Sequence, residues 1–298
     1  TKEDRLSDET YELNFGPNNY SFNYGQAHFI VLDDIIYPHP TKGKGYLGGL
    51  RADQLQFVEN DLKYTPKDRL IVISMHIPLL DRENPGAFRD TDRQKLYELL
   101  NEYPNVLFLS AHTHFQYHNF IGKEDGLNRA KPIHEYTVGT TSGDWYSGIL
   151  NEAGLPTSTM RDGTPQGYAF LKVNGNKYSL NYKAFNKPAD YQISIYNPKV
   201  VAYNKNTSAS IYANFFMGAE NDVVEYRIDN GKWTKMKKVE EFDPTYCRYV
   251  QDWDYLENVV PVRRPSNPAI CRHLWKVKIP TKLPQGEHII EVRAQDMF

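Results

Sequence analysis

Two short apolar runs that each end at a histidine constrain the fold of this chain most. The first, residues 70–75, is followed by His76, and the second, residues 106–110, is followed by Ala111-His112-Thr113-His114. Short, branched and uncharged runs of this kind predict fully buried strands. The segment between them has the periodicity of an amphipathic helix, so the whole predicts a parallel strand–helix–strand crossover.

The three histidines predict a metal site. Parallel neighbouring strands end at the same edge of their sheet, so His76, His112 and His114 are expected to converge there. Three imidazoles at a strand edge are typical of a metal centre. The alternative stays open, because a histidine after a strand is often an ordinary loop residue and His-x-His also occurs by chance.

The flanking sequence predicts further elements of the same sheet. Residues 20–24 alternate polar and apolar side chains, and residues 27–32 follow a Gly-Gln turn, which predicts a hairpin. Residues 51–64 predict one helix, and Thr91-x-x-Gln94 predicts a capping box at the start of another. Asp33 and Asp34 follow this hairpin; they could contact a metal, but we favour the interpretation that they are solvated loop residues. Residues 1–14 are predicted to be loop.

The histidine motifs resemble a known family. His76-Ile77-Pro78 after one strand, and a small residue before His112-Thr113-His114 after the next, are similar to the last two motifs of the calcineurin-like metallophosphoesterases. The resemblance covers residues 10–190. The chain departs from the family at Ala111, where glycine is usual, and the extra methyl group is expected to tighten the turn.

This resemblance implies a fold and an activity. The fold would be α+β, an incomplete metallophosphoesterase αββα sandwich over residues 1–188. The activity would be phosphoester hydrolysis by attack of a metal-bound hydroxide at a binuclear centre. His76 and His112 would bind one divalent ion and His114 the other, the two cofactor ions being Mn, Fe or Zn. The substrate would be a phosphorylated small molecule or a phosphodiester.

Residues 139–146 and 162–168 resemble the pocket-forming loops of a bacterial subgroup of this family. On that basis Trp145, Tyr146 and Asp144 are predicted to bind substrate, with the aromatic side chains stacking on a substrate ring. An equally good interpretation is that the two aromatic residues only anchor their own loop.

The sequence pattern changes near residue 189. Short alternating strands separated by turns predict an immunoglobulin- or fibronectin-like β-sandwich over residues 189–298, truncated at its end and without helix in the core of residues 220–296. The resemblance suggests an exported, extracytoplasmic protein, in which Cys247 and Cys271 would be able to pair.

Motifs that the family places upstream are missing from this sequence. Asp-x-His, Gly-Asp-x-x-x-Asp and Gly-Asn-His-Asp/Glu do not occur, and three neutral imidazoles supply no negative charge to hold two cations about 4 Å apart. The sequence therefore predicts that an N-terminal segment of the same protein, or a companion chain, completes the site, and that the chain alone is inactive or nearly so. A net charge of −2 and 24% charged residues give no indication of a nucleic-acid partner, and no run has the length of a transmembrane segment. The alternative function is a non-catalytic binding module that uses the C-terminal β-sandwich.

Overall fold

The computed structural model describes residues 8–258 and 260–298, and it divides the chain into two units. The first unit comprises Thr1–Thr113, His118–Val138 and Leu171–Ser179; the second comprises His114–Tyr117, Gly139–Phe170 and Leu180–Phe298. The predicted domain boundary at residue 188 stays a prediction. The fold is mixed α/β, with many strands and few helices.

Four α-helices, one 3₁₀ helix (Lys123–Asp125) and seventeen strands are described. The helices are α1 (Glu9–Phe15), α2 (Ala52–Lys63), α3 (Asp90–Leu100) and α4 (Pro244–Asp254). The strands are β1 (Tyr20–Tyr24), β2 (Ala27–Val31), β3 (Ile35–Ile36), β4 (Leu47–Gly48), β5 (Leu70–Ser74), β6 (Val106–Ser110), β7 (Tyr117–Ile121), β8 (Ile133–Thr137), β9 (Gly167–Asn174), β10 (Lys177–Ala184), β11 (Ile193–Tyr196), β12 (Ser210–Phe215), β13 (Val223–Ile228), β14 (Thr234–Lys235), β15 (Lys237–Phe242), β16 (Ile270–Lys278) and β17 (Ile290–Gln295).

A six-stranded sheet with the order β1-β2-β5-β6-β8-β7 forms the centre of the first unit. The β1–β2 hairpin is antiparallel, and β2, β5, β6 and β8 are parallel to one another. The predicted hairpin and the predicted parallel pairing of the two histidine strands are confirmed. The strands β5 and β6 are almost wholly buried, as continuous apolar runs of branched residues require.

Both faces of this sheet are covered. On one face, Val58 and Leu62 of α2 and Leu96 and Leu100 of α3 belong to one buried cluster with side chains of β5 and β6. On the other face, Leu70, Val72 and Leu107 form a cluster that packs against Leu171, Val173 and Tyr178 from the tip of the β9–β10 hairpin. Burial on both faces explains why these strands carry no alternating polar residues.

Two local predictions in this unit are wrong. Residues 9–15 are helical rather than loop, and the acidic Glu9 and Glu12 in the first turn suit the positive end of the helix dipole; residues 1–7 lie outside the described residues. The helix α3 begins at Asp90 with Arg89 as N-cap and no side-chain cap bond, so the predicted capping box at Thr91 does not form.

The second unit contains two larger sheets. Their orders are β11-β12-β16-β15 and β14-β13-β17, and every pair whose register is defined is antiparallel. This region contains several short strands, as the alternating pattern predicts, but an immunoglobulin or fibronectin type is not confirmed. The prediction that residues 220–296 hold no helix is wrong, since α4 begins in this region at Pro244, behind an Asp243 side chain that caps it.

The cysteines are both free thiols, so the disulfide considered from the sequence is not formed. No helix in residues 8–258 and 260–298 has the length and hydrophobicity to cross a membrane.

Candidate functional site

The register of β5 and β6 brings two of the predicted histidines together. Ser74 pairs with Leu109 at the ends of the strands, and beyond them the amide N–H of Ala111 donates to the carbonyl oxygen of His76 at 2.9 Å. The Nδ1 atom of His112 lies 3.0 Å from the Nε2 atom of His76, and the two rings meet edge to face. The sheet edge therefore presents two adjacent imidazoles.

The backbone of the loop after β6 is strained at His112 and His114. His112 has φ = 67° and His114 has φ = 59°, both in the left-handed region that side chains with a Cβ adopt at a cost. The turn is tight, with the N–H of Thr113 donating to the carbonyl oxygen of Ala111 at 2.7 Å. Non-glycine residues held in this region are concentrated at functional sites, where the surroundings fix them.

The prediction of Asp34 as a solvated loop residue is wrong. Asp34 is buried and holds the loop after β5, which carries His76 and is called the histidine loop. It follows β2, the strand next to β5, and only 1% of it is exposed. Its carboxyl oxygens accept hydrogen bonds from the backbone N–H groups of His76 at 2.8 Å and Ile77 at 2.7 Å. Burial raises the pKa of Asp34 to about 7, against the lowering effect of those bonds. Asp34 thus fixes the position of the His76 backbone.

Glu135 supports the same loop from β8. It is fully buried, and its carboxyl group accepts from the N–H groups of Leu79 and Leu80 and from the Asn119 side chain. Burial raises the pKa of Glu135 to about 7. No local sequence pattern distinguishes this residue from the rest of its strand; only the register of β8 beside β6 reveals its role.

Burial favours in His76 the neutral state that metal binding needs. Burial, followed by the neighbouring His112, lowers the pKa of His76 below its ordinary value. A neutral imidazole keeps an electron pair for a divalent cation. The two rings fit part of a metal site, but no three His, Cys, Asp or Glu side chains in the described part of the chain group as a complete one. The three-histidine ligand set stays a prediction.

The second unit carries the remaining predicted site residues. The His114 ring lies 4.4 Å from the Trp145 ring, measured between centroids. Trp145 is 55% exposed and Tyr146 is 52% exposed, and both residues have a positive φ. Asp144 is fully buried, and its carboxylate accepts from the N–H of Ser266. Exposure leaves the two aromatic side chains available to a ligand, whereas Asp144 anchors their loop; substrate contact by any of the three stays a prediction.

A buried hydrogen-bonded cluster surrounds His273 in the second unit, and no sequence pattern predicts it. The Nε2 atom of His273 lies 3.0 Å from Asp162 Oδ2, and its Nδ1 atom lies 2.7 Å from Asn214 Oδ1. The Asn214 amide nitrogen donates to the Asp162 carbonyl and to Asp243, which leaves its oxygen as an acceptor. Both His273 nitrogens therefore face acceptors, so the ring carries two protons and a positive charge.

The charge on this ring is matched by Asp162. Burial acts to raise the pKa of Asp162, but the hydrogen bond and charge of His273 hold it below its ordinary value. Burial also raises the pKa of the adjacent Cys271 thiol well above its usual range, which keeps it uncharged. We call Asp162, Asn214, Asp243, Cys271 and His273 the buried network.

Comparison with known families matches residues 135–298, more than half of the chain, to the C terminal of calcineurin-like phosphoesterase. This chain belongs to that family. The resemblance inferred from the histidine motifs is thereby confirmed, and it had been drawn largely from residues that precede the matched region. No curated protein matches the chain.

Two solved structures are similar to parts of this phosphoesterase chain. One, described as the structure of PhoD, is 17% identical over 42% of this chain, with a TM-score of 0.33. The other is purple acid phosphatase PPD1 from yellow lupin (Lupinus luteus) seeds, 15% identical over 56% of this chain, with a TM-score of 0.35. The chain spans 30% of the length of each.

Proposed function

We propose that the whole protein is a metal-dependent phosphoester hydrolase, and that the edge of the first unit's sheet supplies part of its metal site. The observation that carries this proposal is the pair His76 and His112, whose ring nitrogens lie 3.0 Å apart at the ends of adjacent parallel strands. Family membership supports the reaction class, and the geometry of the pair together with the sequence motif supports these residues as ligands.

The donor set fits a divalent cation in part. Two neutral imidazoles would hold Mn, Fe or Zn with little discrimination among them, and His114 is the third ligand that the sequence motif proposes. Bound there, such a cation would acidify a water molecule and withdraw charge from the phosphoryl group. The anionic ligands that a binuclear centre requires are proposed to come from an N-terminal segment of the same protein.

The residues of this chain have separate tasks in this proposal. His76 and His112 present nitrogen electron pairs, and the carboxyl groups of Asp34 and Glu135 hold the His76 loop in place through its backbone N–H groups. Trp145 and Tyr146 offer exposed aromatic surfaces to an organic group of the substrate. An extracytoplasmic location remains part of the proposal.

The test compares four proteins with added manganese: the 298-residue chain, the full-length protein, full-length His112→Ala and full-length His288→Ala. The full-length protein should hydrolyse an aryl phosphate and contain about two metal ions per chain. His112→Ala should lose orders of magnitude in rate and part of the metal. His288, which pairs with Asp229 in the second unit, is the matched control and should leave both unchanged. Full activity of the 298-residue chain would contradict the need for an N-terminal segment.

A cleft in the second unit favours the alternative, a non-catalytic binding module. Its volume is about 770 Å³, and it is lined by residues 197–203 and 279–290. Val200 and Ile289 are exposed at this cleft, and exposed apolar side chains in a concave surface are typical of binding sites. A full-length protein that is inert toward several phosphoesters and holds no metal would favour this function.

A further inference from the structure

The loop of residues 144–148, here called the aromatic loop, holds an unfavourable backbone conformation. Trp145 has φ = 57° and Tyr146 has φ = 53°, and both side chains are more than half exposed. Each non-glycine residue in this region costs about 1–3 kcal/mol and persists only where its surroundings fix it. Since burial of the two rings does not compensate this cost, the loop is held by its neighbours in a conformation that displays them.

Those neighbours are a short segment, residues 263–266, between α4 and β16. At one end of the aromatic loop, the Asp144 carboxylate accepts from the N–H of Ser266 at 2.7 Å. At the other end, the N–H of Gly148 donates to the carbonyl oxygen of Arg263 at 2.9 Å. Gly148 has φ = 97°, and a Cβ there would overlap the Tyr249 hydroxyl of α4. The aromatic loop and the 263–266 segment are therefore fixed to each other at both ends.

Arg263 extends from this segment onto the aromatic loop. Its guanidinium carbon lies 5.4 Å from the centroid of the Trp145 ring, which in turn contacts the His114 ring. Stacking on an aromatic face leaves the in-plane N–H donors of a guanidinium available to an anion. The Trp145 ring thus contacts both the Arg263 guanidinium and the ring of His114, a predicted metal ligand.

The charge of Arg263 is uncompensated. Arg263 is exposed and forms no ion pair with any carboxylate in residues 8–258 and 260–298, whereas the next residue, Arg264, is bound by both oxygens of Asp254 at 2.6 and 2.8 Å. Two adjacent arginines in the same segment therefore differ in whether they have an anionic partner. An arginine oriented by an aromatic ring and lacking a carboxylate has the geometry to bind phosphate oxygens in a bidentate manner.

We propose that Arg263 is a specificity-determining residue that binds ionised phosphate oxygens beside His114, so that doubly charged phosphomonoesters are preferred over singly charged phosphodiesters. The inference rests on the proposed hydrolase function and adds the substrate class to it. The second ionised oxygen of a monoester is the group that a fixed cation attracts, and a diester lacks it.

The test uses two substrates with the same aromatic group, p-nitrophenyl phosphate and bis(p-nitrophenyl) phosphate, and the full-length protein with manganese. Arg263→Gln should lower kcat/KM for the monoester about tenfold, through KM rather than kcat, as expected for a lost charge-assisted hydrogen bond. The loss for the diester should be less than about threefold, and Arg263→Lys should recover part of the monoester loss because it keeps the charge. Arg264→Gln is the matched control and should change kcat/KM for neither ester, since the charge of Arg264 is already bound by Asp254.

Calorimetric titration with inorganic phosphate separates this inference from the proposed function. Phosphate should bind the unmodified protein, and Arg263→Gln but not Arg264→Gln should weaken that binding about tenfold. If neither ester is hydrolysed but this binding difference is found, the anion site stands and the hydrolase proposal fails. Equal losses for the two esters, equal effects of the two arginine variants, or no phosphate binding at all would each overturn the role of Arg263.

Discussion

The two units surround their histidines in opposite ways. In the first unit, His76 and His112 lie at a sheet edge and contact each other through ring nitrogens, and the carboxyl group of Asp34 accepts from the His76 backbone. In the second unit, the His273 ring is enclosed and has a carboxylate on one nitrogen and an amide oxygen on the other. The first arrangement places two imidazoles side by side at a sheet edge, whereas the second uses both nitrogens of one ring within the core.

This difference shows that proximity of a histidine to an acid is a poor guide to a site by itself. Buried ion pairs are often structural, because a charge without water requires a partner at short range. Asp34 and Glu135 accept hydrogen bonds from backbone N–H groups rather than from a ring nitrogen. The site candidate is the pair whose rings contact each other at the sheet edge.

We expect the largest loss of unfolding free energy when the carboxylate of Asp162 is removed from the buried network. Asp162→Asn leaves the His273 imidazolium without its carboxylate, and removing one partner of a buried ion pair costs about 3–5 kcal/mol. Urea denaturation of the variant at pH 7 measures this loss of unfolding free energy.

The matched control for Asp162→Asn is Asp243→Asn. Asp243 lies in the same network, caps α4 and contacts Asn214, but it has no cationic partner. Asparagine is as good an N-cap as aspartate, but its NH₂ group cannot accept from the Asn214 amide, so the change should cost about 1–3 kcal/mol, less than Asp162→Asn. Equal losses for the two variants would mean that His273 is neutral and the comparison between the units is wrong.

The next effect concerns His134, whose ring is buried as that of His273 is. Its nitrogens contact His118 and the Tyr178 hydroxyl, and burial lowers its pKa to about 4 from the ordinary 6.5. Between pH 6.5 and 4 the unfolded chain takes up a proton that the folded protein resists, so stability is present above this window and falls as the pH falls. His134→Gln should abolish on the order of 3 kcal/mol of that loss.

Urea denaturation of both proteins at pH 7 and pH 4 gives the pH dependence of this stability. His39, in a surface loop, provides a control: His39→Gln should leave the dependence on pH unchanged. An identical slope for the unmodified protein and His134→Gln would show that His134 is protonated in the folded state.

Sequence patterns predict four of the six strands of the first sheet, β1, β2, β5 and β6, together with the histidines that follow β5 and β6. Apolar runs fix β5 and β6 as buried strands, and the end of a strand is visible in the sequence, so His76 and His112 were found. The roles of Asp34 and Glu135 depend on which strands are neighbours and on register, which no local pattern encodes. For this reason Asp34 was predicted to be a solvated loop residue.

The buried network was beyond local patterns for a related reason. Asp162, Asn214 and His273 come from a loop and two strands far apart in sequence. The helix α4 also escaped prediction, although Asp243-Pro244 is a good helix start, because the surrounding strands suggested an all-β region. The buried network and the helix α4 both depend on contacts between residues that are distant in sequence.

A smaller effect tests how Asp34 supports the histidine loop. Asp34→Asn keeps one oxygen acceptor and replaces the other with an NH₂ group, so one of the N–H groups of His76 and Ile77 loses its acceptor. Leaving a buried donor unsatisfied costs about 1–3 kcal/mol. The neighbouring Asp33 pairs with Arg51 near the surface, and Asp33→Asn should cost less than about 1 kcal/mol in the same urea measurement. A reversed order would place the support of this loop on Asp33.

The smallest expected effect has the opposite sign and separates the two histidine environments most directly. His112 has φ = 67°, which glycine adopts without a steric penalty, and its ring is not enclosed by the core. His112→Gly should therefore raise the unfolding free energy of the metal-free protein by about 0.5–1 kcal/mol, whereas His112→Ala retains the strain and should bring no gain. In the full-length protein the glycine variant should be more stable and yet inactive, the combination expected of a residue whose conformation serves function at the expense of stability. A destabilised glycine variant would instead assign His112 a structural role like that of His273, and the contrast between the two units would disappear.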